Sequence, residues 1–410
     1  MELTMSLAHE QTSATRAAAI IATDAEAIAV ATRLSEEFAA GAVERDRDRR
    51  LPWQELDRMS AAGLFGITVP RIYGGAAVSP ATLARVIAIL SRGDGSIGQI
   101  PQNHFYALEV LRVGGTPQQQ ENLYAKALAG HRFGNALAEI GRRDFKRTTR
   151  LRREAGRAIV SGRKFYCTGA LYAQTIPTLA VAQEDGRDVS YLVFVPRSAK
   201  GVDIVDDWDG FGQRVTGSGT VTFDEVSVDE AVVVPFQASF ERPTTIGPFA
   251  QLMHAAIDLG IGEAAYRDML DFIRNRARPW LDAKVETAAE DPLTIHRVGA
   301  VRVGLRAAEA MLARAGRIVA EAQAAPDDES VARASIAVAE ARIHSTRAGL
   351  DAANRLLELG GTSASMEADG LDRHWRNVRT HTLHDPVRWK YQAVGQFHLN
   401  NRRPPRHGAI

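Results

Sequence analysis

The spacing of apolar residues changes period twice along the chain, and this constrains the fold more than any single motif. Up to Gly130 the spacing is helical: Val30, Leu34 and Phe38 lie four apart, and Leu83, Val86, Ile87 and Leu90 fall on one face. Helix ends are marked as well. "VSPATLARVIAILSRGDG" offers Ser79 as an N-cap before Pro80, and "GTPQQQENLYAKALAG" repeats the device with Thr116 and Pro117. Pro52 and Gly63 bracket the helix in "LPWQELDRMSAAGLFG", and residues 24–45 read as one helix. From His131 the chain turns to short β-branched and aromatic runs, "GRAIVSGRKFYCTGA", "TIPTLAVAQEDGRDVSYLVFVP" and "TGSGTVTFDEVSV", with "EDGRD" as a hairpin turn. From about Thr245 helical spacing returns over 246–279, 292–322 and 328–359, the last stopping at Gly360-Gly361. A final helix follows Pro386.

This order predicts an α+β protein of three parts: an N-terminal helical domain over 1–130, a central β domain over 131–243 and a C-terminal helical bundle over 244–410. Strands and helices do not alternate, and no GxGxxG follows a strand, so a nicotinamide-binding Rossmann domain is not expected. Apolar residues make up 45% and charged residues 24%, as in soluble globular proteins, and the net charge of +1 gives no field that would draw nucleic acid. One cysteine, Cys167, rules out an internal disulfide and fits a reducing compartment. The N-terminus lacks the basic-then-apolar pattern of a signal peptide, and no apolar run approaches the ~18 residues of a membrane span. A cytoplasmic protein without membrane association is expected. The basic run "RRDFKRTTRLRR" reads as a solvated loop and strand edge, since Phe145 is its sole aromatic.

The chemistry-bearing stretch is "RTHTLHDPVRWKYQAVG". His381 and His384 are three apart, so one helical turn projects both to one side. Asp385 precedes Pro386, which suits a carboxylate capping the next helix with proline at its first position. A capping carboxylate is already committed and makes a poor mobile base. His-x-x-His-Asp also offers three metal ligands, but without HExxH or CxxC no metal is expected.

Several motifs resemble the acyl-CoA dehydrogenase family: "GRKFYCTGA", "GQRVTGSGTVTFDEVSV", "FIRNRARPW" and "LELGGTSA". "NHF" at 103–105, "FGNAL" at 133–137 and "RTHTLHDPVRWKYQAVG" resemble more closely its reduced-flavin-dependent monooxygenase branch, which holds the dibenzothiophene monooxygenases and sulfur-acquisition oxidoreductases. The resemblance implies an acyl-CoA dehydrogenase-like fold with His381 and His384 lining the pocket over a flavin. It places His104 and Phe105 at the substrate pocket, although His104 also reads as a surface histidine near a turn. It sets Tyr166 against the flavin ring, Thr168 beside its N5 or O4, and Asn135 on flavin or substrate, or else in a local turn. Arg276 or Arg278 would reach flavin phosphate across a subunit interface near the Gly360-Gly361 turn. Trp208 either walls the pocket or fills the β core, and Cys167 reads as a buried small hydrophobe.

Two departures from the dehydrogenases carry the functional expectation. Their Thr-Glu…Gly-Ser-Asp loop appears as "AEIGRRDF", keeping Glu139 and Asp144 but bringing in Arg142 and Arg143. Their catalytic Glu-Gly reads His384-Asp385-Pro386. The resemblance therefore implies a two-component monooxygenase. A separate NAD(P)H-dependent flavin reductase supplies reduced flavin, FMNH2 ahead of FAD. O2 is captured as a flavin C4a-(hydro)peroxide, and a small sulfur-containing substrate is oxygenated. A homodimer or homotetramer is expected. The alternative is an acyl-CoA dehydrogenase with bound FAD, its base drawn from Asp258 or Glu263 on another helix. A nucleic-acid or flavin carrier using the basic run ranks last.

Overall fold

Residues 18–140 and 147–410 are described by the computed structural model of the chain. Arg142, Arg143, Asp144 and Phe145 lie outside the described residues. Helix α1 (Asp24–Ala39) buries Ala27, Ala31, Leu34 and Phe38 on one stripe, and Thr23 caps it. The helix expected to run on to residue 45 breaks and restarts as α2 (Ala42–Asp48). After α3 (Trp53–Ala61), helix α4 (Pro80–Gly93) starts where the sequence marks it, the Ser79 side chain accepting from the Thr82 N–H. Its face of Leu83, Val86, Ile87 and Leu90 is buried. Then follow α5 (Gly95–Gln99), α6 (Gln102–Gly114) and α7 (Pro117–Leu128), the last held by reciprocal bonds between Thr116 and Gln119.

Among the described residues seven strands form one mixed sheet. They are β1 (Arg150–Glu154), β2 (Arg157–Lys164), β3 (Thr175–Glu184), β4 (Arg187–Pro196), β5 (Val202–Val205), β6 (Thr220–Asp229) and β7 (Val233–Pro235), in the order β5-β6-β2-β1-β3-β4-β7. Among these seven strands the β1–β3 pairing alone is parallel. The expected hairpin joins β3 to β4 through Asp185 (φ 47°) and Gly186 (φ 74°), the two left-handed residues such a tight turn needs. Val160, Val193, Val221 and Phe223 give the sheet a core of its own. On its surface Arg150 pairs with Asp188, Arg152 with Glu225, and Arg153 with Glu184 and Glu230, so this part of the basic run is charge-compensated.

A short helix α8 (Gln237–Phe240) leads into α9 (Ile246–Asn275), α10 (Pro292–Ala324) and α11 (Asp328–Gly360). Helix α9 is buried almost all round from Ile246 to Ala265 and is the centre of the bundle. It meets α11 at near backbone contact: a Cβ added at Gly262 would lie 2.9 Å from Gly349 Cα, and one at Gly349 would lie 2.8 Å from the Asp258 carbonyl oxygen. Two further helices close the chain, α12 (Asp372–His381) and α13 (Val387–Asn400). Helix α12 is too polar, "DRHWRNVRTH", to have shown an apolar stripe in the sequence. No described helix is long and apolar enough to cross a membrane.

His104 ties the first unit to the sheet. Its Nε2–H donates to the Phe65 carbonyl at 2.7 Å, and its Nδ1 accepts from the Phe133 N–H at 3.0 Å. It is fully buried, and burial lowers its pKa to about 4. This corrects both sequence readings of His104. It is not on the surface, and neither ring nitrogen is left for a substrate. Phe105 packs edge-on against it within the main core.

Two outcomes follow. Gly349→Ala should lower stability by about 1–3 kcal/mol, because the backbone opposite cannot yield. Gly304→Ala, where an added Cβ meets nothing within 4 Å, should raise it by about 1 kcal/mol. Urea unfolding checks both. Acid sensitivity has a definite sign. The unfolded chain protonates His104 and His374 near 6.5, whereas the fold, burying both, does so only near 4. Unfolding takes up protons in that window, so stability falls as pH drops through it. His104→Phe should be less stable at neutral pH yet show a shallower acid slope.

Candidate active site

Three histidines from three parts of the chain meet beside a buried carboxylate. His254 and Asp258 stand one turn apart on α9, His381 ends α12, and His384 lies in the turn before α13. His381 Nδ1 is 2.5 Å from Asp258 Oδ1, and its Nε2 is 3.0 Å from His254 Nδ1. The His254 and His384 ring centroids lie 4.1 Å apart, the planes tilted by 35°. From α11, Arg342 Nη1 donates to Asp258 Oδ2 at 2.5 Å and to the His254 carbonyl at 2.8 Å, and the Thr346 hydroxyl donates to Asp258 Oδ2 at 2.8 Å. His384 Nδ1 lies 3.1 Å from Asp385 Oδ2, which also accepts from Gln251 Nε2 at 2.9 Å. The His384 side chain is 48% exposed, whereas His254, His381, Asp258 and Asp385 are buried.

Burial alone would raise the Asp258 carboxyl, but Arg342, His381 and Thr346 outweigh it and hold the group below the usual range. Burial pulls His381 down despite Asp258, so its imidazole is neutral. Burial also opposes the charge on Asp385, yet the bond from His384 and the nearby His254 and Lys390 hold that carboxyl well below the usual range. Burial lowers Lys390 to about 8, and its ammonium donates to the Ala409 carbonyl.

These contacts correct two expectations. Asp385 does not cap the last helix: the N-cap position is Pro386, without a side-chain cap bond, and the carboxylate faces Gln251 and His384 instead. Neither alternative base is free. Asp258 is committed to Arg342, Thr346 and His381, and Glu263 is gripped by Arg302 at 2.8 and 2.9 Å. Ligand atoms of His254, His384 and Asp385 lie within 4.8 Å of one another, though Asp385 Oδ2 is already shared by Gln251 and His384.

The sheet carries a second group of the expected residues. Tyr166 sits at φ 54° with its ring 54% exposed and the edge of Trp208 against it at 6.2 Å. Thr168 shares a hydroxyl chain with Ser218 at 2.8 Å and, through it, with Thr216 at 2.6 Å. Asn135 donates to the Tyr166 carbonyl at 3.2 Å, while its buried Oδ1 finds no partner among the described residues. Gln213, at φ 55°, accepts through its carbonyl from Trp208 Nε1 at 2.8 Å, and both atoms of its buried side-chain amide are unpartnered. Cys167 is buried between its neighbours and its thiol is pushed up to about 12, the inert hydrophobe expected.

Helix α12 joins the two groups. Asn377 Oδ1 accepts from the Gln213 N–H at 2.7 Å, and a Cβ on Gly212 would run into the Arg376 carbonyl, so the loop from Trp208 lies directly on this helix. Four residues beyond Asn377 comes His381. Farther out, Arg276 pairs with Asp369 at 2.6 Å and lies over Phe272 at 4.6 Å. Phe272 in turn packs at Gly360, where an added Cβ would meet it at 3.3 Å. Arg276 and the Gly360-Gly361 turn are thus neighbours, with Arg278 exposed on the segment beyond. Sequence reasoning missed His254, Arg342 and Gln213. The pair His254 and Asp258 carried a signal: two polar residues one turn apart in the otherwise apolar "QLMHAAIDLGIG".

Comparison with known proteins agrees with this architecture. Residues 25–131 match the family model for the acyl-CoA dehydrogenase N-terminal domain, and 252–389 that for the C-terminal domain. A dibenzothiophene monooxygenase from Rhodococcus qingshengii is 32% identical over 93% of this chain and 95% of its own. A probable FMNH2-dependent monooxygenase, SfnC, from Pseudomonas putida is 32% identical over 92% and 96%. The structure of TdsC from Paenibacillus sp. A11-2 with FMN and indole superposes with a TM-score of 0.88 at 29% identity, over 94% of this chain and all of that one. The chain belongs to the acyl-CoA dehydrogenase family.

Proposed function

We propose that the chain is a flavin-dependent monooxygenase that uses reduced FMN and O2 to oxygenate a small sulfur-containing substrate. The observation that carries this reading is the identity of the groups at the site: imidazoles meet there, and each nearby carboxylate is already bonded. A carbon acid is deprotonated by a mobile carboxylate tuned toward neutral pH. Asp258 and Asp385 are instead held below their usual range. Relatives named for FMNH2-dependent and dibenzothiophene oxygenation support the same reaction class.

The residues present fit a flavin. The unpartnered Asn135 Oδ1 and the Gln213 amide offer an acceptor and an acceptor–donor pair to the polar edge of an isoalloxazine. The exposed Tyr166 ring offers a stacking face, and the Thr168 hydroxyl can both donate and accept. When bound and reduced, the flavin supplies the electrons that activate dioxygen. His384 keeps its Nδ1 on Asp385, so its Nε2 is the atom that holds or delivers a proton at the reacting oxygen. Arg276 and Arg278, beside Gly360 and Gly361, complete the phosphate site of a neighbouring subunit in a homodimer or homotetramer. A separate NAD(P)H-dependent reductase, sharing the cytoplasm, delivers the reduced flavin.

Purified protein given FMN, NADH, a flavin reductase and ¹⁸O₂ should put one labelled oxygen into an aromatic or alkyl sulfur substrate, read by mass spectrometry. No label in any of a substrate panel, with bleaching of bound flavin by an acyl-CoA under anaerobic conditions, would favour the dehydrogenase instead. His384→Ala should cut oxygenation by about 10²–10⁴-fold while NADH consumption continues as hydrogen peroxide release. Arg276→Ala should weaken FMN binding by roughly tenfold or more, the worth of a charge-assisted phosphate contact. Titration of FMN fluorescence measures it.

A further inference from the structure

The bonds around His254 fix where protons sit as well as where rings lie. Arg342 and Thr346 both donate to Asp258 Oδ2, and the carboxylate is ionised, so its Oδ1 can only accept from His381 Nδ1. The proton of neutral His381 is therefore on Nδ1, and its Nε2 is a lone pair. The 3.0 Å bond to His254 then requires the proton on His254 Nδ1. That leaves a lone pair on His254 Nε2, to which no described residue donates, on a ring whose centroid is 4.1 Å from that of His384.

We propose that Asp258, His381 and His254 form a tautomer-setting relay that fixes His254 Nε2 as a buried hydrogen-bond acceptor beside His384, making His254 a positioning residue of the oxygenation site. The groups facing His254 come from every element packed on it. Asp258 shares its helix, Arg342 comes from α11, His381 from α12, and His384 and Asp385 from the turn; Gln251, Lys390 and His407 gather one step away, around Asp385. Burial first, then the neighbouring His384, His381 and Arg342, hold the His254 ring neutral. Held this way, His254 Nε2 presents a fixed lone pair beside His384, and it can accept a hydrogen bond without any proton leaving the chain of bonds to Asp258. The relay's purpose rests on the monooxygenase reading; the tautomers do not.

The test is NMR of the full chain carrying ¹⁵N-histidine, from about pH 6 to about pH 8.5, where ring-nitrogen shifts report each proton directly. His254 and His381 should both be protonated at Nδ1 across this range. In Asp258→Asn, Arg342 and Thr346 still hold an oxygen, so the amide nitrogen turns to His381 as a donor. Both rings should then carry their protons on Nε2, and kcat should fall at least about tenfold with KM within about twofold. His381→Gln can donate to Asp258 and accept from His254, and should keep the His254 Nδ1 proton. A proton on His254 Nε2 in the natural chain, or unchanged tautomers in Asp258→Asn, overturns the relay. Switched tautomers with unchanged kcat overturn its positioning role. Tautomers as stated in a chain that oxygenates nothing support the relay and overturn the function reading alone.

Discussion

The Asp258–Arg342 ion pair is the interaction on which the site depends. Both side chains are essentially inaccessible to water, at 0% and 1% exposure. Desolvating two charges costs several kcal/mol each, and the attraction between them repays that only if the remaining donors and acceptors are also engaged. Here most are. Thr346 and His381 bond the carboxylate, and the guanidinium also reaches the His254 carbonyl. A pair of this kind contributes little net stability, but removing one partner strands the other at a cost of about 3–5 kcal/mol. What it supplies is register. Helices α9, α11 and α12 each contribute a group, so none can rotate or slide without breaking a buried bond. The near contact of Gly262 and Gly349 brings the first two close enough for this.

From that anchor, order passes to the sheet through α12. His381 binds Asp258 at one end of the helix, and Asn377, one turn back, holds the Gln213 backbone. Gln213 and Tyr166 both sit at positive φ, a conformation that costs a non-glycine residue about 1–3 kcal/mol and persists where the surroundings over-determine it. The same two positions carry an exposed aromatic ring and a buried, unpartnered amide. Leaving a buried amide unbonded costs about 1–3 kcal/mol per group, a penalty that a ligand with matching donors and acceptors removes. Strain and unsatisfied polarity therefore coincide where the proposed flavin edge would lie.

Much of this fold was legible in the sequence because its signals are local. Ser79-Pro80 and Thr116-Pro117 cap helices through atoms within three residues, and Asp185-Gly186 sets a hairpin by backbone preference alone. What could not be read is what depends on a distant partner. Asp385-Pro386 has the local form of a cap, but Gln251, more than a hundred residues away, captures the carboxylate. His104 looks like a polar residue at a helix entrance, yet the Phe65 carbonyl and the Phe133 N–H, from either side in the chain, take both its nitrogens. Helix α12 escaped notice because its residues bond to other elements instead of presenting an apolar stripe. His381 and His384 were legible as a pair, but the ring that joins them, His254, lies on a helix whose apolar pattern concealed it.

Family membership fixes the scaffold and leaves the reaction open, because function resides in the groups a scaffold presents. In this chain the question reduces to which group near the pocket can exchange a proton at neutral pH. A carboxylate held below its usual range by a guanidinium or by donated hydrogen bonds is too weak a base to take a proton from carbon, and Asp258 and Asp385 are both in that condition. Glu263 spends both oxygens on Arg302. His384 is half exposed, anchored through one nitrogen and set against the neutral His254 ring, so it keeps a second nitrogen and a route to solvent. The ion pairs that order the bundle are therefore also what removes carboxylates from the available chemistry. The same bonds that set the register of the helices leave an imidazole, not a carboxylate, with an uncommitted atom beside the site.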